Sequence, residues 1–318
     1  MNDTSIAVVI VLQNNGEAVE RALNSVKNQY TQVDEIIVVD NESTGNASET
    51  VRALNMDKVT LVTQPNSSLS AARNFGAFVA KSKYVAFLDS NDEWLPFFIN
   101  EFKRLLTRFP THAAYATRYQ FINASKVPVD AKIKLSNHNP NGVNMQDYFT
   151  IAAKGELPFS LSSFIVHKAF FLSIGGFEVN DVIGAEPGLF AKIALNNDFA
   201  YSPNIHAHIH IDTTTRETKA IPPFIAPFAE RLYKKALKGS FSPYIAADVK
   251  RYCARHALSI AKQSIKRKQF ANALSVLQSS MSQFLFFRYL PLKIIATYSH
   301  AISLFSSAKS LPKREVNS

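Results

Sequence analysis

The chain of 318 residues contains a single cysteine, Cys253. No intramolecular disulfide can form, and a cysteine-based zinc site has too few ligands. A lone thiol suits a reducing compartment, which points to the cytoplasm. No Gly-x-Gly-x-x-Gly turn follows the first apolar run, where the sequence reads Gln13-Asn14-Asn15-Gly16. That absence argues against a dehydrogenase-type dinucleotide site. A membrane-spanning helix needs about twenty mostly uncharged apolar residues. The most apolar segment, 284–305, is broken by Arg288, Pro291, Lys293 and His300. Polar Asn2-Asp3-Thr4 precedes only a short apolar run, which predicts no signal peptide.

Acidic residues are scarce toward the C-terminus. From Pro227 onward, sixteen Lys and Arg face only Glu230, Asp248 and Glu315. That surplus of 13 exceeds the +10 of the whole chain, so residues 1–226 carry 10 − 13 = −3. A basic tail suits an anionic lipid surface, a nucleic acid or solvated helix faces. Its cations lie among apolar helical residues rather than beside exposed aromatics suited to base stacking, which disfavours nucleic acid. Segment 284–305 then has two readings. It is an interfacial segment on the cytoplasmic face of an anionic membrane, or a helix packed on the rest of the chain or in a homo-oligomer.

What is present is a chain 47% hydrophobic, enough for a full core. Ser5 to Leu12, Glu35 to Val39, Val59 to Thr63 and Tyr84 to Leu88 are apolar runs of strand length. Between them, Glu17–Gln29, Ser48–Asn55 and Ser70–Lys81 read as helices. This alternation predicts a parallel sheet covered by helices, with ligands beyond the carboxyl ends of its strands. Gln13-Asn14, Asp40-Asn41 and Asp89-Ser90-Asn91-Asp92 should therefore converge on one rim. Further along, we expect a helix over 95–109, a strand over 112–122 and a loop over 125–146. A strand over 159–166, a short helix over 167–174, a helix over 186–196 and a strand over 199–211 complete the first domain. His206, His208 and His210 alternate along that last strand and should share a face, where His210 is a candidate metal or diphosphate contact. After Pro222-Pro223 the texture turns helical, with helices expected over 252–264 and 271–287. The expected domains are 1–221 and 222–318.

Four segments follow one another in order: Asn14; Ile36 to Thr44, with Asp40-Asn41 at its centre; Leu69-Ser70-Ala71-Ala72-Arg73-Asn74-Phe75-Gly76; and Tyr84 to Trp94, with Asp89-Ser90-Asn91-Asp92. Together with Gly175-Gly176-Phe177-Glu178 and Glu186, they closely resemble the family 2 glycosyltransferases over roughly residues 5–215. The resemblance implies an α/β GT-A fold with a helical C-terminal appendage, and an inverting transferase. Its donor would be a nucleotide sugar, its acceptor a glycan or lipid-linked intermediate, and its cofactor Mn²⁺ or Mg²⁺. It also implies roles. Asn14 and Asp40 would hold the nucleoside, and Arg73 would lie near the base or diphosphate. Asp89 would touch ribose and metal, and Asn91, Asp92 and His210 would complete the metal's surroundings.

Two departures from the family pattern matter. Asn91 stands where the family usually has Asp, and a neutral amide attracts a cation less strongly. Pro187 stands where the family's general base usually lies, and proline accepts no proton. Glu186 is then the nearest candidate base, with Asp181 second. Lost turnover is the alternative: a degenerate member that binds nucleotide sugar or a partner.

Overall fold

The run Ser5 to Leu12 forms strand β1 (Ile6–Val11), every residue of which is buried. A computed structural model describes residues 4–12, 16–43, 46–64, 68–135, 138–181, 183–211 and 224–309. Asn14 and the expected 221/222 boundary lie outside the described residues. The chain divides into two compact units, Met1–Thr218 and Lys219–Ser318.

In the first unit β1 lies between β2 (Glu35–Asp40) and β4 (Tyr84–Phe87), with β3 (Val59–Thr63) outside β2. These four strands are all parallel. The parallel arrangement extends no further. The sheet continues as β9 (Phe164–His167), β6 (Ala114–Ile122), β10 (Phe199–His210) and β5 (Glu93–Trp94). There β9 runs antiparallel to β4 and β6, β10 parallel to β6, and β5 antiparallel to β10. The segment expected as a loop over 125–146 contributes β7 (Pro128–Asp130) on β6 and β8 (Val143–Met145) on β10. Residues 159–166 are not one strand: a 3₁₀ turn, Leu161–Ser163, precedes β9.

Period-two alternation gives β1 two apolar faces. Ile6, Val8 and Ile10 join the core formed with Val19 and Leu23 of α1 (Gly16–Lys27) and Val51 of α2 (Ala47–Ala53). Val9 faces α3 (Leu69–Val79), and there the approach is unusually close. A Cβ on Gly76 would sit 2.4 Å from Val9 Cγ1 and 3.1 Å from Val39 Cγ2, atoms of buried and rotamerically stiff side chains. Gly76→Val should cost roughly 2–3 kcal/mol by overpacking. Calorimetry should show a melt lower by about 4–12 °C, and an unchanged melt would contradict the close approach.

The other helices of this unit are α4 (Phe98–Arg108), α5 (Tyr148–Ala152), α6 (Lys168–Ser173) and α7 (Ala185–Ala194). An aromatic cluster anchors the turn before β9. Phe159 lies 4.7 Å, centroid to centroid, from both Phe190 and Phe199, and Phe164 lies 5.4 Å from Phe190. These rings are fully buried, so residues 160–163 are held from both ends.

The second unit is helical: α8 (Pro227–Leu237), α9 (Pro243–Lys266), α10 (Phe270–Leu277), α11 (Ser280–Gln283) and α12 (Phe286–Lys309). The helix expected over 271–287 is interrupted where Ser279 caps α11, its side chain accepting from the Ser282 amide at 3.2 Å. Helix α9, in which Val249, Cys253, Ala257 and Ala261 are buried, packs on α8, α10 and α12. Burial pushes the Cys253 thiol up to about 12, so it is inert as a nucleophile. Among the described residues no helix is long and apolar enough to cross a membrane.

Candidate functional site

Parallel strands deliver their carboxyl ends to one edge of the sheet. Val39 is paired with Val11, and Phe87 with Val9. Asp40 is thus level with Leu12 and Asp89 with Val11, one strand apart on either side of β1. Two strand spacings separate them, roughly 10 Å. The expected convergence of Asp40 and Asp89 on one rim follows from this register.

Asp40 closes a turn on itself. Its Oδ1 accepts from the Ser43 amide at 2.9 Å and the Ser43 hydroxyl at 2.8 Å, and its Oδ2 accepts from the Ser48 hydroxyl. Partial burial raises its pKa, but the Ser48 and Ser43 bonds, with Arg52, outweigh it and leave the carboxyl below its usual range. Asp40 is therefore a fixed anion with lone pairs to spare for a donor N–H or O–H.

On the other side, Arg73 projects from α3 between two carboxylates. Its Nη2 lies 3.6 Å from Asp89 Oδ2 and 3.3 Å from Glu186 Oε1, and its side chain is only 9% exposed against 25% for Asp89 and 37% for Glu186. The guanidinium also lies 5.5 Å from the Phe177 ring centroid. Asn74, next to Arg73, holds that ring in place. Its Nδ2 donates to Phe177 O and its Oδ1 accepts from Phe177 N, both at 2.9 Å. The turn it holds requires Gly176, whose φ is +55° and whose Cβ would meet Asn74 Oδ1 at 2.5 Å. Glu186 lies in the first turn of α7, behind Gly184 at φ +77°. Pro187 is tolerated there because first-turn amides need no helical acceptor. Desolvation by the surrounding protein pushes the partly exposed Glu186 carboxyl up, Arg73 pulls it down and Asp89 raises it, and the net direction is upward.

The turn after β4 ties the remaining residues together. Asp89 Oδ1 accepts from the Asn91 amide at 3.0 Å, and Arg21 donates to Asn91 O at 2.6 Å. Asp92 is turned inward: its Oδ2 accepts from the Ser162 hydroxyl at 2.5 Å and its Oδ1 from the His210 amide at 3.0 Å. Burial, with Asp89 adding to it, drives the Asp92 carboxyl well above the usual carboxylate range, against the bonds from Ser162 and His210. Ser162 also accepts from the Asp89 amide at 3.1 Å, and its carbonyl takes the Trp94 indole N–H at 2.7 Å. One serine thus positions both acidic residues of the turn.

His210 does not face this group with its ring. Its Nε2 lies 3.1 Å from Glu93 Oε1, and His208 Nδ1 lies 3.2 Å from the same oxygen. The two histidines share a face, as their alternation predicts. His206 does not join them: register shifts near Ile205 offset it, and its charged neighbours are Glu101 and Arg104. Asp181 is buried in the turn before α7, where its amide donates to Glu178 O at 3.2 Å.

Among the described residues no group of three or more His, Cys, Asp or Glu is placed to hold a metal ion. The expected set of Asp89, Asn91, Asp92 and His210 is therefore not a preformed cage. Asp92 spends its oxygens on Ser162 and the His210 amide, and the His210 ring spends its Nε2 on Glu93. The residues present fit a divalent cation in a shared manner. Asp89 and Asn91 offer one carboxylate and one amide oxygen, and phosphate and water must supply the rest, a common way of holding Mg²⁺.

Residues foreseen from sequence and brought together are Asp89, Arg73 and Glu186, with Asp40 on the same edge. Ser162, Asn74, Phe177 and Glu93 have supporting roles that sequence reading did not assign. Asn74 and Phe177 lie within the motifs quoted above, but nothing in the sequence marks Ser162.

Residues 7–160 match the family model of glycosyl transferase family 2. The uncharacterized glycosyltransferase YibD of Escherichia coli K12 is 39% identical over 99 residues, 30% of this chain and 29% of that protein. The succinoglycan biosynthesis protein ExoW of Rhizobium meliloti is 28% identical over 182 residues, 54% of this chain and 56% of that one. Both alignments span less than two thirds of the relative. Residues 1–349 of S. aureus TarS, crystallised with UDP-GlcNAc, superpose with a TM-score of 0.67 at 16% identity, covering 94% of this chain and 88% of that one.

Proposed function

We propose that this chain, whose residues 7–160 match the glycosyl transferase family 2 model and whose fold is that of TarS, moves a sugar from a nucleotide-sugar donor to a hydroxyl of a glycan or lipid-linked acceptor, inverting the anomeric centre. The observation that carries this reading is the Arg73 guanidinium held between Asp89 and Glu186 at the carboxyl edge of the parallel strands. One end of that edge, at Asp40, suits a nucleoside. The other suits a diphosphate and a reacting sugar.

Each residue has a defined task in this reading. Asp40 accepts hydrogen bonds from the nucleoside, and Asp89 accepts them from the ribose. Arg73 holds both acids in register and places a positive charge beside the leaving diphosphate. Two carboxylates against one guanidinium still repel a diphosphate, so a divalent cation shared by Asp89, Asn91 and the phosphates would offset charge on the leaving group. Glu186 takes the proton from the acceptor hydroxyl. Its raised pKa improves it as a base near neutrality.

The test is calorimetric titration of UDP, GDP and dTDP, each with and without Mn²⁺. UDP is the first choice because the TarS structure was solved with UDP-GlcNAc. One nucleotide should bind, and more tightly with Mn²⁺. At a hundredfold excess over its Kd it should raise the melt by about 5–10 °C. Mn²⁺ alone should give no shift. Absence of binding by all three nucleotides would overturn the reading, and a strong shift with Mn²⁺ alone would overturn the shared metal site.

A further inference from the structure

The second unit carries a basic cavity and an uncovered apolar helix face. The cavity, about 430 Å³, is lined by Arg255, Leu258, Ser259 and Lys262 of α9 and by Arg288, Pro291 and Leu292 of α12. Three of these seven residues are cations and none is an acid. No Asp or Glu occurs anywhere between Asp248 and Glu315. Arg255, Lys262 and Arg288 form no ion pair among the described residues. Burial and the nearby Arg288 charge hold the Arg255 guanidinium below its usual pKa, so the cavity concentrates positive charge that nothing in it offsets.

Beside it, α12 exposes Phe287, Leu290, Ile294, Tyr298 and Ile302. Their spacings of three, four, four and four residues place them on one helix face. Phe287 is 91% exposed and Tyr298 69%. The opposite side of α12 is packed, with Ala296 fully buried. The apolar stripe and the cavity belong to the same helix, since Arg288 and Pro291 lie within a turn of Phe287 and Leu290.

We propose that this surface docks on an anionic phospholipid bilayer, with the α12 stripe entering the interface and Arg255, Lys262 and Arg288 holding a lipid phosphate. Charge complementarity selects this occupant. An aromatic and aliphatic face flanked by unpaired cations matches the interface of an anionic leaflet, where apolar chain lies beneath a layer of phosphates. The proposal supplies a location for a lipid-linked acceptor but does not depend on transfer.

The test is co-sedimentation of the whole chain with phosphatidylcholine vesicles and with vesicles containing phosphatidylglycerol. Binding should favour the anionic vesicles. The triple variant R255Q/K262Q/R288Q should bind them roughly a hundredfold more weakly, at about fivefold per cation. A second variant, F287S/I294S/Y298S, should also lose vesicle binding while keeping the cavity, and its far-ultraviolet dichroism should match that of the parent chain. Equal binding to neutral vesicles would overturn the proposal, as would anionic binding unchanged by the triple variant. Binding of inorganic phosphate without vesicle binding would also overturn it and leave a small-anion site. Nucleotide titration of the same preparations separates a failure here from a failure of the transfer reading.

Discussion

Asp89→Asn should lower nucleotide affinity by roughly ten- to a hundredfold, the worth of a hydrogen bond to a charged group, and slow transfer by at least about a hundredfold. The substitution keeps volume, and its amide oxygen can still accept from the Asn91 amide as Asp89 Oδ1 does. What it removes is the negative charge 3.6 Å from Arg73, on the carboxylate assigned above to a shared cation. The effect should be larger with Mn²⁺ than without it, because the cation depends on this carboxylate while the nucleoside is also held at Asp40. Arg73 retains Glu186 at 3.3 Å, so the fold should survive and the melt should change little. Titration of the variant with and without Mn²⁺ reads both effects. Affinity within twofold of the parent chain in both conditions would place the donor elsewhere.

The edge that carries Asp89 was legible because its supports are regular. β1, β2 and β4 are apolar runs bounded by polar residues, and α1 and α3 show helical spacing. Parallel register then leaves the residues after β2 and β4 little freedom, which is why Asp40 and Asp89 could be placed on one rim. The second half of the sheet was less legible. β7 and β8 are three residues each and pair at a strand edge, too short to establish alternation. Asp92 shows a different limit. In sequence it is one more polar residue of a loop, yet it is buried because Ser162, seventy positions later, supplies its partner. The aromatic packing of Phe159 and Phe164, on either side of the turn, helps bring Ser162 there. The histidine alternation predicted correctly that His208 and His210 share a face. It could not foresee that Glu93 would engage both rings, or that irregular pairing near Ile205 would separate His206.

Glu186→Gln should separate chemistry from binding. A positioned base is worth roughly 10²–10⁴ in rate, so turnover should fall by that factor while nucleotide affinity stays within a few-fold. Glutamine fills the same space, and its carbonyl can still accept from Arg73. The pH profile gives the sharper test. A base works when deprotonated, so the parent chain's rate should fall as pH drops through the Glu186 pKa. That pKa is raised, so the acid limb should lie above the range of an ordinary glutamate. In Glu186→Gln that limb should disappear along with the rate. Asp181→Asn is the paired measurement, since Asp181, in the turn before α7, is the second candidate base. If Glu186→Gln keeps its rate and its acid limb while Asp181→Asn loses both, the base is Asp181. If neither changes, no carboxyl on this side takes the proton, and Pro187 marks a site where the family's usual base has no replacement.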